Sequence, residues 1–269
     1  MTHTTENADA TEITDTADGT TRRRVLGASL ATAALAGTGL ATAGAARAER
    51  PAGAGPSVGI LLYDGFSLLD PTGPAEVLSR LPDATVTMIG EARGPVRTDT
   101  GDTAVLAERA IAEVSRLDVL LVPGGGERGT TGAMANPALL SWIRAVHRHT
   151  AWTTSVCTGS LILAAAGLLE GRRATTHWAS AEYLENELGV PYVPARYVPS
   201  GRIVTAAGVS AGVDMALYLA ARIAGETVAR GIQLAIEYDP TPPFDSGNAA
   251  EAGPELRALA LRLIAESGT

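Results

Sequence analysis

Short, nearly unbroken apolar runs limit what this chain can fold into. Ser57–Tyr63 (SVGILLY) and Leu117–Val122 (LDVLLV) end abruptly in Asp64-Gly65 and Pro123-Gly124-Gly125-Gly126, and the Thr-rich run Trp152–Val156 (WTTSV) is similarly short. Such runs are too short for stable helices, and they lack the polar alternation of a half-exposed strand. They suit strands buried on both faces, the condition of a parallel sheet covered by helices. The intervening segments supply those helices. Residues 74–81 (PAEVLSRL) predict one that starts at Pro74, and Asn136-Pro137 opens another with Leu139, Ile143 and Val146 at helical spacing. Residues 159–169 are a nearly all-apolar helix. Strands are expected at 84–89 and 202–205 and a minor hairpin within 96–106. Helices follow at about 211–224 and 226–237, and an amphipathic one from Pro254. The alternation predicts an α/β fold, a mainly parallel sheet with helices on both faces. Ligands of such sheets sit at the carboxyl ends of the strands, where Asp70, the Pro-Gly-Gly turn and Cys157 would gather.

Residues 1–48 read differently. Met1–Thr20 is polar and lacks hydrophobic periodicity. Thr21-Arg22-Arg23-Arg24-Val25-Leu26 then leads into a weakly apolar stretch ending at Ala46-Arg47-Ala48. A basic segment, an apolar segment and an Ala-x-Ala site predict a secretory signal. The paired arginines resemble the twin-arginine kind. Cleavage after Ala48 would leave residues 49–269 as one domain, periplasmic or extracellular, that meets the membrane only during export. A retained anchor is the alternative, although so many Gly, Thr and Ala residues make a poor span.

Composition removes whole classes of function. All 21 basic residues are Arg, so Schiff-base chemistry on Lys is excluded. A net charge of −8 argues against a nucleic-acid partner, since counterion release needs clustered cations. A single Cys excludes an intramolecular disulfide and any multi-cysteine metal site.

That cysteine, Cys157, stands between a strand-like run and a helix. A nucleophile at a tight strand-to-helix turn is exposed and points outward. The helix N-terminus beside it favours the thiolate and can stabilise negative charge on a substrate. The plain alternative is a small buried hydrophobe. The glycines after Pro123 permit positive φ and N–H groups facing an anion, although an ordinary strand-end turn is the commoner reading. Asp70 follows two leucines, so desolvation would let it hold a proton near neutral pH. With Pro71 after it, Asp70 equally fits an N-cap. His177 reads either as an acid, base or polar wall near the sulfur or as a structural His beneath it. His147 and His149 are expected on a solvated helix face.

Five stretches carry a resemblance: GILLYDGFSLLDPTGPAEVLSRLPD (59–83), LDVLLVPGG (117–125), TSVCTGSLILAAAGLLEGRRATTHWA (154–179), VSAGVDMALYLA (209–220) and IQLAIEYDPTPPFDSG (232–247). Together they resemble the ThiJ/PfpI group of the class I glutamine amidotransferase-like superfamily, and within it the isonitrile hydratases. The resemblance implies a flavodoxin-like sandwich, a homodimer and a small-molecule substrate, with no cofactor or metal. It implies Cys157 as the nucleophile, Thr158 beside it and Asp70 as the essential acid. The amides of Gly125 and Thr158 would line an anion pocket, with His177 a candidate for the same wall. The implied reaction is attack of a thiolate on the terminal isonitrile carbon to give a thioimidate, from which water releases an N-substituted formamide. Pro71 departs from that pattern, which usually has another apolar residue there.

Other readings on the same fold are a peptidase or amidohydrolase, a glyoxalase-type enzyme, and a redox or ligand sensor. The peptidase branch places His directly after the nucleophile, where Thr158 stands, and the glyoxalase branch usually has Glu where this chain has Asp70. The sensory part of AraC-type regulators is similar too, but those continue into a DNA-binding region of about a hundred residues. Here only roughly 30 residues follow Tyr238.

Overall fold

The computed structural model describes residues 55–267, so the export signal expected in residues 1–48 lies outside it. The elements are β1 (Ser57–Leu61), α1 (Leu69–Leu78), β2 (Thr85–Gly90), β3 (Gly94–Arg97), β4 (Ala104–Ala107), β5 (Arg109–Ala110), β6 (Val119–Val122), α2 (Glu127–Ala135), α3 (Pro137–His147), β7 (Trp152–Val156), α4 (Gly159–Ala165), α5 (Ala181–Asn186), β8 (Tyr197–Ser200), β9 (Ile203–Ala206), α6 (Ala211–Ala224), α7 (Glu226–Ala235) and α8 (Pro254–Ser267).

Seven strands form one sheet in the order β5-β2-β1-β6-β7-β9-β8, and β3 and β4 form a separate antiparallel hairpin. Every pairing in the large sheet is parallel except β8 with β9. The five central strands, β2-β1-β6-β7-β9, follow the 2-1-3-4-5 order of flavodoxin-like folds, with the switch point between β1 and β6. Side chains alternate between two cores. Val58, Ile60, Val119 and Leu121 pack with α1, α6 and α7, whereas Leu61, Leu120 and Val122 pack with α3 and α4. This two-sided burial is why the strands read as continuous apolar runs. Each such Leu or Ile contributes about 1.5–3 kcal/mol.

Several expected boundaries move. Helix α1 begins at Leu69, five residues before the expected start, with Pro71 in its first turn and Pro74 inside it. Helix α4 stops at Ala165, and the chain turns at Gly167, whose φ is +74°. Residues 127–135, where the sequence offered no helix, form α2. Helix α3 starts as expected: the Asn136 side chain accepts the N–H groups of Ala138 and Leu139, and Pro137 follows it. Helix α8 forms from Pro254 but buries none of its residues. Among the described residues no helix is long and apolar enough to cross a membrane.

The amino-terminal edge of the sheet is tied by polar groups. The N–H and Oγ–H of Ser57 donate to Asp118 Oδ2 at 2.7 and 2.6 Å. Arg202 donates through Nη1 to the carbonyls of His147 (2.7 Å) and Thr150 (2.8 Å), and through Nη2 to His147 Nε2 (3.0 Å). A guanidinium can only donate, so Nε2 accepts and the Nδ1–H donates to Thr153 Oγ1 at 2.8 Å. His147 is therefore a neutral, half-buried strut, not the solvated side chain expected. Burial, with the charges of Arg202 and Arg172, pushes its pKa down to about 4. His149 is exposed, as expected.

Candidate active site

The carboxyl ends of β1, β6 and β7 flank the switch point, and the loops leaving them bring Asp70, Gly124 and Cys157 together. Cys157 directly follows β7 with φ at +57°, a left-handed backbone that costs a non-glycine residue about 1–3 kcal/mol. Four hydrogen bonds over-determine it. Its N–H donates to the carbonyls of Ala206 (3.1 Å) and Ala207 (2.8 Å), and its carbonyl accepts the hydroxyls of Thr176 (3.1 Å) and Ser160 (3.2 Å). The turn is as sharp as expected, but the side chain does not point into solvent: only 5% of the residue is exposed.

Asp70 is wholly buried. It is the second residue of α1, and Leu68 occupies the cap position, so the carboxyl is not the expected N-cap. Its Oδ2 instead accepts the Gly124 N–H at 2.8 Å, and its Oδ1 makes no well-formed hydrogen bond. Burial pushes the Asp70 pKa up to about 8 against the pull of the Gly124 N–H; the Asp99 charge adds to the rise, and the nearby Cys157 thiol lowers it. Burial pushes the Cys157 thiol up as well, the Asp70 charge adds to this, and the N–H and hydroxyl of Thr158 only partly offset them. Near neutral pH the pair is thus a thiol beside a protonated carboxyl. The groups at the start of α4 pull the thiol toward ionisation, the direction expected of a helix N-terminus, but burial outweighs them.

Thr158 Oγ1 accepts the Gly125 N–H at 3.0 Å and lies 2.9 Å from Thr130 Oγ1, whose hydroxyl also reaches the Gly125 carbonyl at 3.1 Å. The Gly125 amide is therefore engaged within the protein, and of the two amides expected to line the pocket only that of Thr158 faces the sulfur. None of Gly124, Gly125 and Gly126 has positive φ. Glycine is required at 124 by close approach: a Cβ there would lie 2.4 Å from Thr158 N and 2.8 Å from Cys157 Cβ.

Residues 56–222 match the model of the DJ-1/PfpI family. The chain belongs to the DJ-1/PfpI family. Its curated relatives include the isonitrile hydratase of Pseudomonas putida, 42% identical over 191 residues, which cover 71% of this chain and 82% of that protein. The HTH-type transcriptional regulator CdhR of Pseudomonas aeruginosa is 34% identical over 147 residues, 54% of this chain but only 40% of the regulator. Among solved structures, a ThiJ/PfpI family protein from Pseudomonas syringae superposes with a TM-score of 0.74 at 34% identity, covering 79% of this chain and 87% of that one.

In this DJ-1/PfpI chain His177 stands one loop away from the sulfur. Its Nδ1 accepts the Ala179 N–H at 3.4 Å, and its ring packs on Gly208, just beyond the carbonyls that hold the Cys157 N–H. Burial lowers its pKa, so it is a neutral wall, hydrogen-bonded to its own turn and not to Cys157 or Asp70. Three further residues belong to the site without any sequence signal. Tyr63 is buried and donates to the Pro123 carbonyl at 3.2 Å. Ser67 donates its hydroxyl to Asp99. A cavity of about 410 Å³ opens nearby, lined by Tyr63, Glu91, Arg97 and Arg128 among others, but Cys157 and Asp70 do not line it. Among the described residues no cluster of His, Cys, Asp or Glu is arranged to hold a metal ion.

Proposed function

We propose that this protein hydrates isonitriles to N-substituted formamides. The observation that carries the reading is the protonated, buried Asp70 beside Cys157. The terminal carbon of an isonitrile must accept a nucleophile and a proton at the same atom, and this pair offers both. Asp70 delivers its proton to that carbon as the sulfur bonds to it. The thiol proton passes to the Asp70 carboxylate, leaving the thioimidate R–N=CH–S–Cys157. Water then adds through oxygen to the carbon while a proton, relayed by Asp70, reaches nitrogen. The C–S bond breaks, the sulfur regains a proton and the formamide departs, with nothing oxidised or reduced. The Thr158 N–H stabilises charge on the sulfur, and Thr158 Oγ1 holds the Gly125 loop against it. The identity with the Pseudomonas putida isonitrile hydratase supports the same reading.

Export by a twin-arginine-type signal and assembly as a homodimer complete the proposal. Signal-dependent secretion of a folded reporter and sedimentation of residues 49–269 test these two parts. The decisive assay is formamide release from a simple alkyl isonitrile by the purified protein, beside Cys157→Ala. Turnover lost in the variant is the expected result. No turnover by a folded protein with an intact thiol would overturn the reading in favour of another cysteine chemistry or a sensor.

A further inference from the structure

The hairpin formed by β3 and β4 is stitched to the loop that delivers Asp70. Gly65 N–H donates to the Arg97 carbonyl (2.9 Å), and Asp99 N–H donates to the Phe66 carbonyl (2.9 Å). On its other side the same loop is paired with the Gly-rich turn. Ser67 N–H donates to the Gly124 carbonyl and Gly126 N–H to the Gly65 carbonyl, both at 3.0 Å. Residues 65–67 are thus the middle rung of a small three-stranded patch, with the hairpin on one side and the partner of Asp70 on the other. Two side chains lock it: the Ser67 hydroxyl donates to Asp99 Oδ2, and Asp99 Oδ1 accepts the Thr100 N–H at 3.0 Å. Three residues beyond Ser67 the chain reaches Asp70, whose own N–H donates to the Ser67 carbonyl at 3.1 Å.

We propose that Asp99 is a positioning residue for the Asp70–Cys157 pair: through Ser67 it fixes the loop that carries Asp70, and its negative charge faces the pair. The inference rests on the reading of that pair as the reacting centre. Its electrostatic half agrees with the groups that face the site. Cys157 and Asp99 act on Asp70, Asp70 and Asp99 act on Cys157, and both acids act on the neighbouring Tyr63. Among the described residues no Arg or His offsets them at Asp70 or Cys157. A like charge disfavours ionisation of its neighbours.

Cys157 is the only cysteine, so alkylation by iodoacetamide reports one site. Asp99→Asn keeps an oxygen for the Ser67 hydroxyl but removes the charge. The pH midpoint of alkylation is expected to fall by roughly half a pH unit, and the alkaline limb of isonitrile hydration is expected to move with it. Asp99→Ser carries the same expectation should the Asn variant fail to fold. Ser67→Ala keeps the charge and loosens the loop, so its midpoint stays within about 0.2 pH units of the parent while kcat falls several-fold. An unchanged midpoint in folded Asp99 variants overturns the proposal even if the parent hydrates isonitriles. A shifted midpoint in a protein that hydrates none retains the role of Asp99 and removes only the substrate reading.

Discussion

Asp70→Asn should make the protein more stable at neutral pH while removing its chemistry. In the unfolded chain the carboxyl ionises at its ordinary value of 3.8, whereas in the fold it does so only at about 8. The folded state therefore binds the extra proton between those values, and stability is lost as pH rises through that window. The loss grows by about 1.4 kcal/mol per pH unit and reaches roughly 4 kcal/mol at pH 7. Asn cannot ionise, so it escapes this loss. It still has an oxygen for the Gly124 N–H but buries an unpaired amide, which costs about 1–3 kcal/mol. The variant is expected to be less stable than the parent near pH 4, to cross it between about pH 4.5 and 6, and to lead by about 1–3 kcal/mol at pH 7. Urea unfolding of both proteins at a series of pH values reads the difference directly. Isonitrile turnover should drop by about 10²–10⁴. A stability difference that stays constant between about pH 5 and 8 would refute the claim that the fold holds a proton on Asp70.

Other expectations follow from the same contacts. Protonation of His147 is opposed in the fold, where its pKa is about 4 against 6.5 unfolded, so its contribution is full above pH 6.5 and is lost as pH falls toward 4. Because the ring is half-exposed the loss is cut to about 1–2 kcal/mol, and chemical unfolding should show it reduced in His147→Gln. Gly124→Ala drives a methyl against Thr158 N and Cys157 Cβ, both fixed by backbone, and should cost about 2–3 kcal/mol in thermal unfolding together with most activity. Thr158→Val orphans the Gly125 N–H, for a loss of about 1–3 kcal/mol. The pH midpoint of Cys157 alkylation should rise in that variant, because the Thr158 hydroxyl that pulls the thiol pKa down is gone.

The central strands could be read from sequence because burial on both faces leaves a mark in every residue of Val119–Val122. The elements that escaped are those whose stability is borrowed from neighbours. Helix α2 has the sequence ERGTTGAMA, rich in poor helix formers, and it forms where Thr130 and Ala133 are buried against the rest. The start of α1 was hidden by its prolines, which ordinarily mark a beginning and not an interior. At the site the positions of Cys157 and Asp70 beyond the ends of two strands were legible, but their protonation was not. Both pKa values are set chiefly by burial, and burial is decided by segments far away in the chain. The tie between Ser67 and Asp99, 32 residues apart, has no local pattern at all.

The two edges of the sheet have different tasks. The ties of Ser57 to Asp118 and of Arg202 to His147 lie at the end of the strands opposite Cys157. They are polar, part-buried and absent from the patch that holds Asp70. A designer seeking a longer-lived protein could replace the His147–Arg202 strut with residues indifferent to acid and leave the Cys157 end untouched, because the rigid strands between them separate the two alterations. Loop grafting at the Cys157 end has no such freedom, since the hairpin tip, the Asp70 loop and the glycine turn are one hydrogen-bonded unit and would have to be transplanted together.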